Sequence, residues 1–218
     1  MIKIGENNVI RAYLGRKNIK QITLPVAAAP SNCFYDKIGK QFFEAQNGSL
    51  IFGEDADGAY LENTANAIIN TGIFNDQTTK VEIEFAATSA PQLGYIYGGF
   101  YAGTARYGLF IETLNRAGYA FGSVQNTTAG GTINLNQKYK FTLSQAGYYI
   151  DDVLKATPAA QPAFQNMRPA GLFADVVETN VRTAGKMYGA KIWQNNTLVM
   201  DLIPIKKGNI IMQDIVFL

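Results

Sequence analysis

Glu82 and Glu84 stand two residues apart in KVEIEFAAT, which puts both carboxylates on one face of an extended strand. Paired carboxylates can cleave a glycosidic bond, one acting as acid and the other as nucleophile or base. Strand-borne hydrolases of this kind use a pattern such as E-x-D-x-x-E, with a third carboxylate further along. Here positions 86 and 87 are alanine and Lys80 flanks the pair. The spacing therefore predicts a solvated strand face, no catalytic residue and no enzyme activity. A second acidic group, Glu54, Asp55 and Asp57 around the DADG turn, offers oxygens that a hard cation could use. The twelve-residue loop pattern is absent. An acidic turn is expected, with no cofactor and no metal ligand; Ca2+ is the alternative.

Aromatic rings are the other source of chemistry. GYIYGGFYAGTARYG concentrates Tyr95, Tyr97, Phe100, Tyr101 and Tyr107 among glycines. Flat amphipathic rings near a sheet surface suit sugar stacking or protein contacts, which makes Tyr97, Tyr101 and Tyr107 candidate ligand-binding residues. The same rings could be core residues with hydroxyls bonded near the rim. No Lys-Ser/Thr pair follows the glycines, so a phosphate cradle is not expected. Trp193, the only tryptophan, reads as a packed strand residue.

Composition removes several classes of site. With no histidine there is no Ser-His-Asp or Cys-His nucleophile pair and no His-ligated metal. A single cysteine, Cys33, cannot form an intrachain disulfide or a thiolate cluster and reads as a small buried apolar residue. Lys and Arg (19) barely exceed Asp and Glu (17) and are scattered, so no nucleic-acid partner is expected. No run approaches the roughly 18 apolar residues of a membrane helix, so no membrane insertion is expected. The opening MIKIGENNVIRAYLG lacks an apolar core, which predicts no secretory signal and synthesis in a reducing cytoplasm.

These groups need elements to hold them. Turn signals rich in Asn and Gly recur about every ten residues, as in an antiparallel sandwich or barrel. Strands are expected at 41–45, 49–52, 67–71, 80–87, 95–101, 107–114, 119–124, 138–144, 147–150, 171–176, 186–193 and 197–203. Turns are expected between them, NTTAGG among these. PAAQPAFQNMR carries two prolines and reads as a loop. Asn195-Asn196 reads as a hairpin turn, and Pro204 should end the last long strand or lie at an edge. The apolar tail IIMQDIVFL should be tucked into a sheet or against a neighbour.

Residues 1–30 differ in style and form an expected attachment arm, with one domain over 31–218. NVIRAYLG and NIKQITLP should pair across a GRKN turn, and the segment from Pro25 to Pro30 should be a linker. Two strands alone bury too little surface, so this hairpin must dock on the main domain or on another chain, with Tyr13, Leu14, Ile19, Ile22 and Leu24 as the candidate partner-binding residues.

The segment GAKIWQNNTLVMDLIPI, followed by GNIIMQD, resembles the closing segment of concanavalin A-like (laminin-G-like) jelly-roll domains common in bacteriophage structural proteins. AIINTGIFNDQTTKVEIEF, YKFTLSQAGYYIDD and GLFADV extend the likeness over roughly residues 40 to 218. It departs at 152–155, where members of the family often have a glycine turn. The arm, with its YLG, is similar to short repeats that open phage tail and virion proteins. The resemblance implies an all-β antiparallel jelly-roll sandwich with an N-terminal β-hairpin arm. It further implies a virion location and a non-enzymatic head-fibre, tail-fibre or capsid decoration subunit. Other virion proteins, further copies of the chain (a trimer favoured) and host surface glycans are the implied partners. A lectin-like carbohydrate-binding module without an assembly role is the alternative.

Overall fold

The computed structural model describes residues 29–64, 67–89, 93–99, 105–161, 163–174 and 183–209 in full. For 2–4, 10–12, 26–28 and 210–212 it describes the backbone. The chain begins with β1 (Ile2–Ile4), β2 (Ile10–Ala12), β3 (Val26–Ala28), β4 (Cys33–Asp36) and β5 (Gln41–Phe43). Next come β6 (Ile51–Asp55), β7 (Gly58–Asn63), β8 (Ile69–Asn70), β9 (Lys80–Ala87) and β10 (Leu93–Gly99). β11 (Arg106–Glu112), β12 (Arg116–Gly122), β13 (Val124–Thr132), β14 (Tyr139–Ser144) and β15 (Gly147–Ile150) follow. The last five are β16 (Val153–Ala156), β17 (Gly171–Leu172), β18 (Gly185–Gln194), β19 (Thr197–Ile205) and β20 (Ile210–Met212).

Two antiparallel sheets form a jelly-roll-like sandwich. One has the order β13-β12-β11-β10-β17-β8. The larger has the order β16-β15-β14-β9-β18-β19-β4-β5, with β7 added to β18 and β6 to β7. Alternation supplies the reason: in β9, Val81, Ile83 and Phe85 are buried, while Lys80, Glu82 and Glu84 face outward. Opposite them, Tyr97, Tyr107, Leu109, Tyr119 and Phe121 line the inner face of the smaller sheet. Phe173, with its ring centroid 6.2 Å from Phe85 and 6.5 Å from Phe34, fills the space between.

Hairpin turns follow local backbone chemistry. Asn195 and Asn196 both take positive φ (49° and 61°), which two-residue turns between twisted strands require and Asn tolerates. Asp151 and Asp152 do the same between β15 and β16 (51° and 62°), so aspartates serve where a glycine turn is usual.

Several expectations need correction. β2, inside NVIRAYLG, pairs with β1, Ile4 opposite Ile10, while NIKQITLP lies outside the described residues. The expected linker contains β3, which pairs with β20, Val26 opposite Met212. That pairing also gives the start of the apolar tail its place in a sheet. NTTAGG is no turn; it lies within β13, which pairs with β12 along a shifted register. β4, β7 and β16 were not expected at all. Of the two alternatives for Pro204 the edge position holds: β19 runs on to Ile205, but the ladder to β18 stops at Leu202 and Pro204 pairs only with Phe34 of β4. The missing N–H therefore costs no ladder bond on the β18 side.

Candidate functional site

The outward face of the larger sheet carries most of the polar chemistry. Cross-strand pairing sets Tyr149, Thr142, Glu82, Lys191 and Asp201 side by side over β15, β14, β9, β18 and β19. Beside this row, Lys140 lies opposite Glu84, and Glu84 opposite Gly189. The strand β18 forks here. On the side away from β9, residues Gly185 to Met187 pair with β7, and Ala190 onward pairs with β19. The register against β9 shifts between Met187 and Gly189, a bulge that re-aims Tyr188 toward the fork.

A hollow of about 190 Å³ opens at that fork. Gly189 and Ala190 are in its floor, and Lys37, Glu82, Glu84, Lys140, Lys191 and Asp201 surround it. Gly189 matters sterically: a Cβ there would meet only the Leu202 carbonyl, at 3.2 Å, so the missing side chain leaves the space open. Tyr188 forms the wall on the β7 side. Its hydroxyl donates to Asp55 Oδ2 across 2.9 Å, and its ring meets Tyr60 edge-on at 5.5 Å. Lys186 bonds the same carboxylate at 3.1 Å and lies 4.4 Å from the Tyr60 ring centroid.

Ion pairs hold the carboxylates of this face. Lys80 Nζ is 2.6 Å from Glu82, Lys138 Nζ is 3.2 Å from Glu84, and Lys37 Nζ is 2.7 Å from Asp201. Lys140 pairs with Asp152 at 2.5 Å, and this bond raises its pKa. Lys191 is exposed and has no carboxylate within ion-pair distance among the described residues. At the DADG turn, burial pushes the Asp55 carboxyl upward, but bonds from Lys186, Tyr188 and the Asp57 N–H outweigh it and hold the pKa below its ordinary value. The bond to Asp55 likewise raises Lys186. A calcium ion at this turn would have to displace an ammonium. Among the described residues no three acidic, Cys or His groups converge on one point.

The tyrosines went elsewhere. Tyr97 and Tyr107 are fully buried in the inter-sheet core, so the core alternative describes both and neither ring reaches a surface ligand. Tyr97 donates to Asn75 Oδ1 (2.6 Å), while the Tyr107 hydroxyl lies 2.9 Å from the Thr79 carbonyl and 2.8 Å from that of Leu143. Burial lifts both phenol pKa values. Tyr101 and Phe100 lie outside the described residues, as do Tyr13, Leu14, Ile19, Ile22 and Leu24. Cys33 is buried as expected, with burial and then Glu44 raising its pKa to about 11 despite the Ser31 N–H. Trp193 is half-buried on the outer face, with Lys80 Nζ 4.5 Å from its ring centroid. Sequence reasoning missed Gly189, Tyr188, Lys191 and Asp201. Strand parity alone could have put Lys191 and Asp201 outward, but the fork has no local signal.

The class so defined is an all-β sandwich with a polar, ion-paired outer face. No family model matches the chain, and no curated protein matches it by sequence. Among solved structures it is similar to domain 4 of AbnA, a GH43 extracellular arabinanase from Geobacillus stearothermophilus, solved in complex with arabinotriose. The TM-score is 0.56 at 10% identity, over 77% of this chain and 94% of that one. Two sialidase structures from Trypanosoma rangeli give TM-scores of 0.43 and 0.47 at 12% and 10% identity. They align with 68% and 85% of this chain, which spans only 26% and 31% of theirs. At such identities the likeness concerns the fold. No helix among the described residues is long and apolar enough to cross a membrane.

Proposed function

We propose that the chain is a non-enzymatic structural protein of a bacteriophage virion, a fibre or decoration subunit whose sandwich meets host surface glycans at the fork on its larger sheet. The observation that carries the glycan contact is the hollow over Gly189, a polar recess on a rigid sheet in which each lining carboxylate already has a lysine. Such groups suit the recognition of hydroxyls better than acid–base chemistry, which needs a carboxyl free to give or take a proton. The arabinotriose-bound neighbour supports a sugar ligand on this architecture. The virion role rests on the closing-segment resemblance and on the arm. Docking of that arm to other virion proteins, in a homo-oligomeric trimer, would multiply weak sugar contacts into avidity.

Mass spectrometry and immuno-electron microscopy of purified particles from the phage encoding this chain test the virion role, and absence of the chain from the particle defeats it. A lectin-like module without an assembly role is the second reading, supported by the same neighbour. It predicts glycan binding by a chain that never enters a particle. Release of reducing ends from polysaccharides by the wild-type chain, lost in Glu82→Gln or Glu84→Gln, would overturn the non-enzymatic assignment.

A further inference from the structure

We infer that the outer face of the larger sheet binds a neutral oligosaccharide laid across the strands, with Gly189 flooring one sugar subsite and Lys191 donating to the chain. This inference rests on the glycan reading above and specifies its ligand. Four observations carry it.

The first is direction. The row from Tyr149 to Asp201 crosses five strands, and four inter-strand spacings of roughly 4.8 Å make a track about 19 Å long. One strand spacing is close to the length of one sugar unit in an extended chain. Successive sugars can thus meet successive side chains in register.

The second is charge. Lys37, Lys140 and Lys191 around the hollow are balanced by Glu82, Glu84 and Asp201. An acidic ligand reaching Lys191 would have to lie between Glu82 and Asp201, its direct neighbours on the flanking strands. Like charges at that range repel. Hydroxyls both donate and accept, so a neutral sugar can use the carboxylates and the ammonium together.

The third is available bonding. Lys191 is exposed with no ion-pair partner among the described residues, so its three N–H donors need not leave another charge to bind a ligand. The fourth is shape. The hollow, at about 190 Å³, is smaller than the roughly 300–1,000 Å³ of enclosed ligand pockets and suits one ring of a chain that continues over the surface. Tyr149 is half-buried at the far end of the row, where its ring offers an apolar platform.

Binding of the full chain to a panel of neutral and uronate- or sialate-bearing oligosaccharides, followed by titration calorimetry, tests the inference. Affinity for neutral chains should rise with length up to about four units. Lys191→Glu should weaken it at least about tenfold, as expected for loss of a hydrogen bond from a charged donor. Gly189→Tyr should abolish it by filling the subsite, and Leu114→Ser, at a distant exposed turn, should bind like wild type. Lys191→Glu replaces an exposed side chain, so it keeps the test valid if Gly189→Tyr folds poorly. Neutral-sugar binding that survives both variants overturns this site while leaving a glycan role standing, as does a preference for acidic chains. A wild-type chain that binds no oligosaccharide overturns the glycan reading itself.

Discussion

The Tyr97 hydroxyl donates to Asn75 Oδ1 across 2.6 Å in the closed interior of the sandwich, joining β10 to the loop that leads into β9. Asn75 Nδ2 is itself buried without a partner, so the ring hydroxyl is the one bond its side chain makes among the described residues. Tyr97→Phe would strand the acceptor as well. A loss of about 1–3 kcal/mol is expected, the ordinary penalty of an unsatisfied buried polar group. Urea denaturation measures it, and an unchanged midpoint would show that the bond contributes nothing.

Asp55 joins the β6–β7 hairpin to β18 through Lys186 and Tyr188. Its folded-state pKa is lowered, so its contribution is present above the unfolded carboxyl value of about 3.9 and is lost as pH falls through the folded value. Asp55→Asn should therefore lower stability at neutral pH and flatten the acid limb of a stability–pH curve below about pH 4. The side chains are partly exposed, which keeps the effect modest. Parallel curves for the two proteins would refute the assignment.

Cys33 is buried in a small cluster with Ala29, Tyr35 and Ile205, and its thiol is pushed up to about 11. At pH 8 only about a thousandth would be thiolate, and no reagent could reach it without opening the fold. Labelling by a disulfide exchange reagent should thus proceed at the rate of unfolding. Rapid stoichiometric labelling of the native chain would contradict the burial.

Glycines in the smaller sheet make room for rings. A Cβ on Gly118 would come 2.5 Å from the Phe110 ring and 2.5 Å from the Asn126 carbonyl, and one on Gly98 or Gly108 would come 2.7 or 2.8 Å from the Tyr95 ring. Gly118→Val should destabilise by roughly 1–3 kcal/mol through overpacking. Thermal denaturation reads the loss; a neutral substitution would mean that β12 and β13 separate freely.

Much of the strand pattern was legible because burial on one face writes itself into the sequence with a period of two. KVEIEFAA and GYYI were predicted to the residue, and the Asn195-Asn196 turn follows from what asparagine's backbone tolerates. Strands that break this code were missed or displaced. CFYD, buried throughout, was missed. The strands holding GYIYGG and RAGYAFG were expected two to three residues too late, because glycines under crossing rings blur the alternation there. The weakest reading was that of Tyr97 and Tyr107. Their types fit a sugar platform or a core equally well, and only the sheet lying opposite them decided.

The chain by itself dictated an antiparallel β architecture without histidine chemistry, because residue types and their period act over a few neighbours. What lies across a sheet or beside a strand depends on partners far away in sequence. Lys191 lies between Glu82 and Asp201 only because β18 runs between β9 and β19, and the hollow over Gly189 is closed by side chains that β9, β14, β18 and β19 bring together. Long-range pairing made the recess, since no local stretch of backbone holds both of its walls.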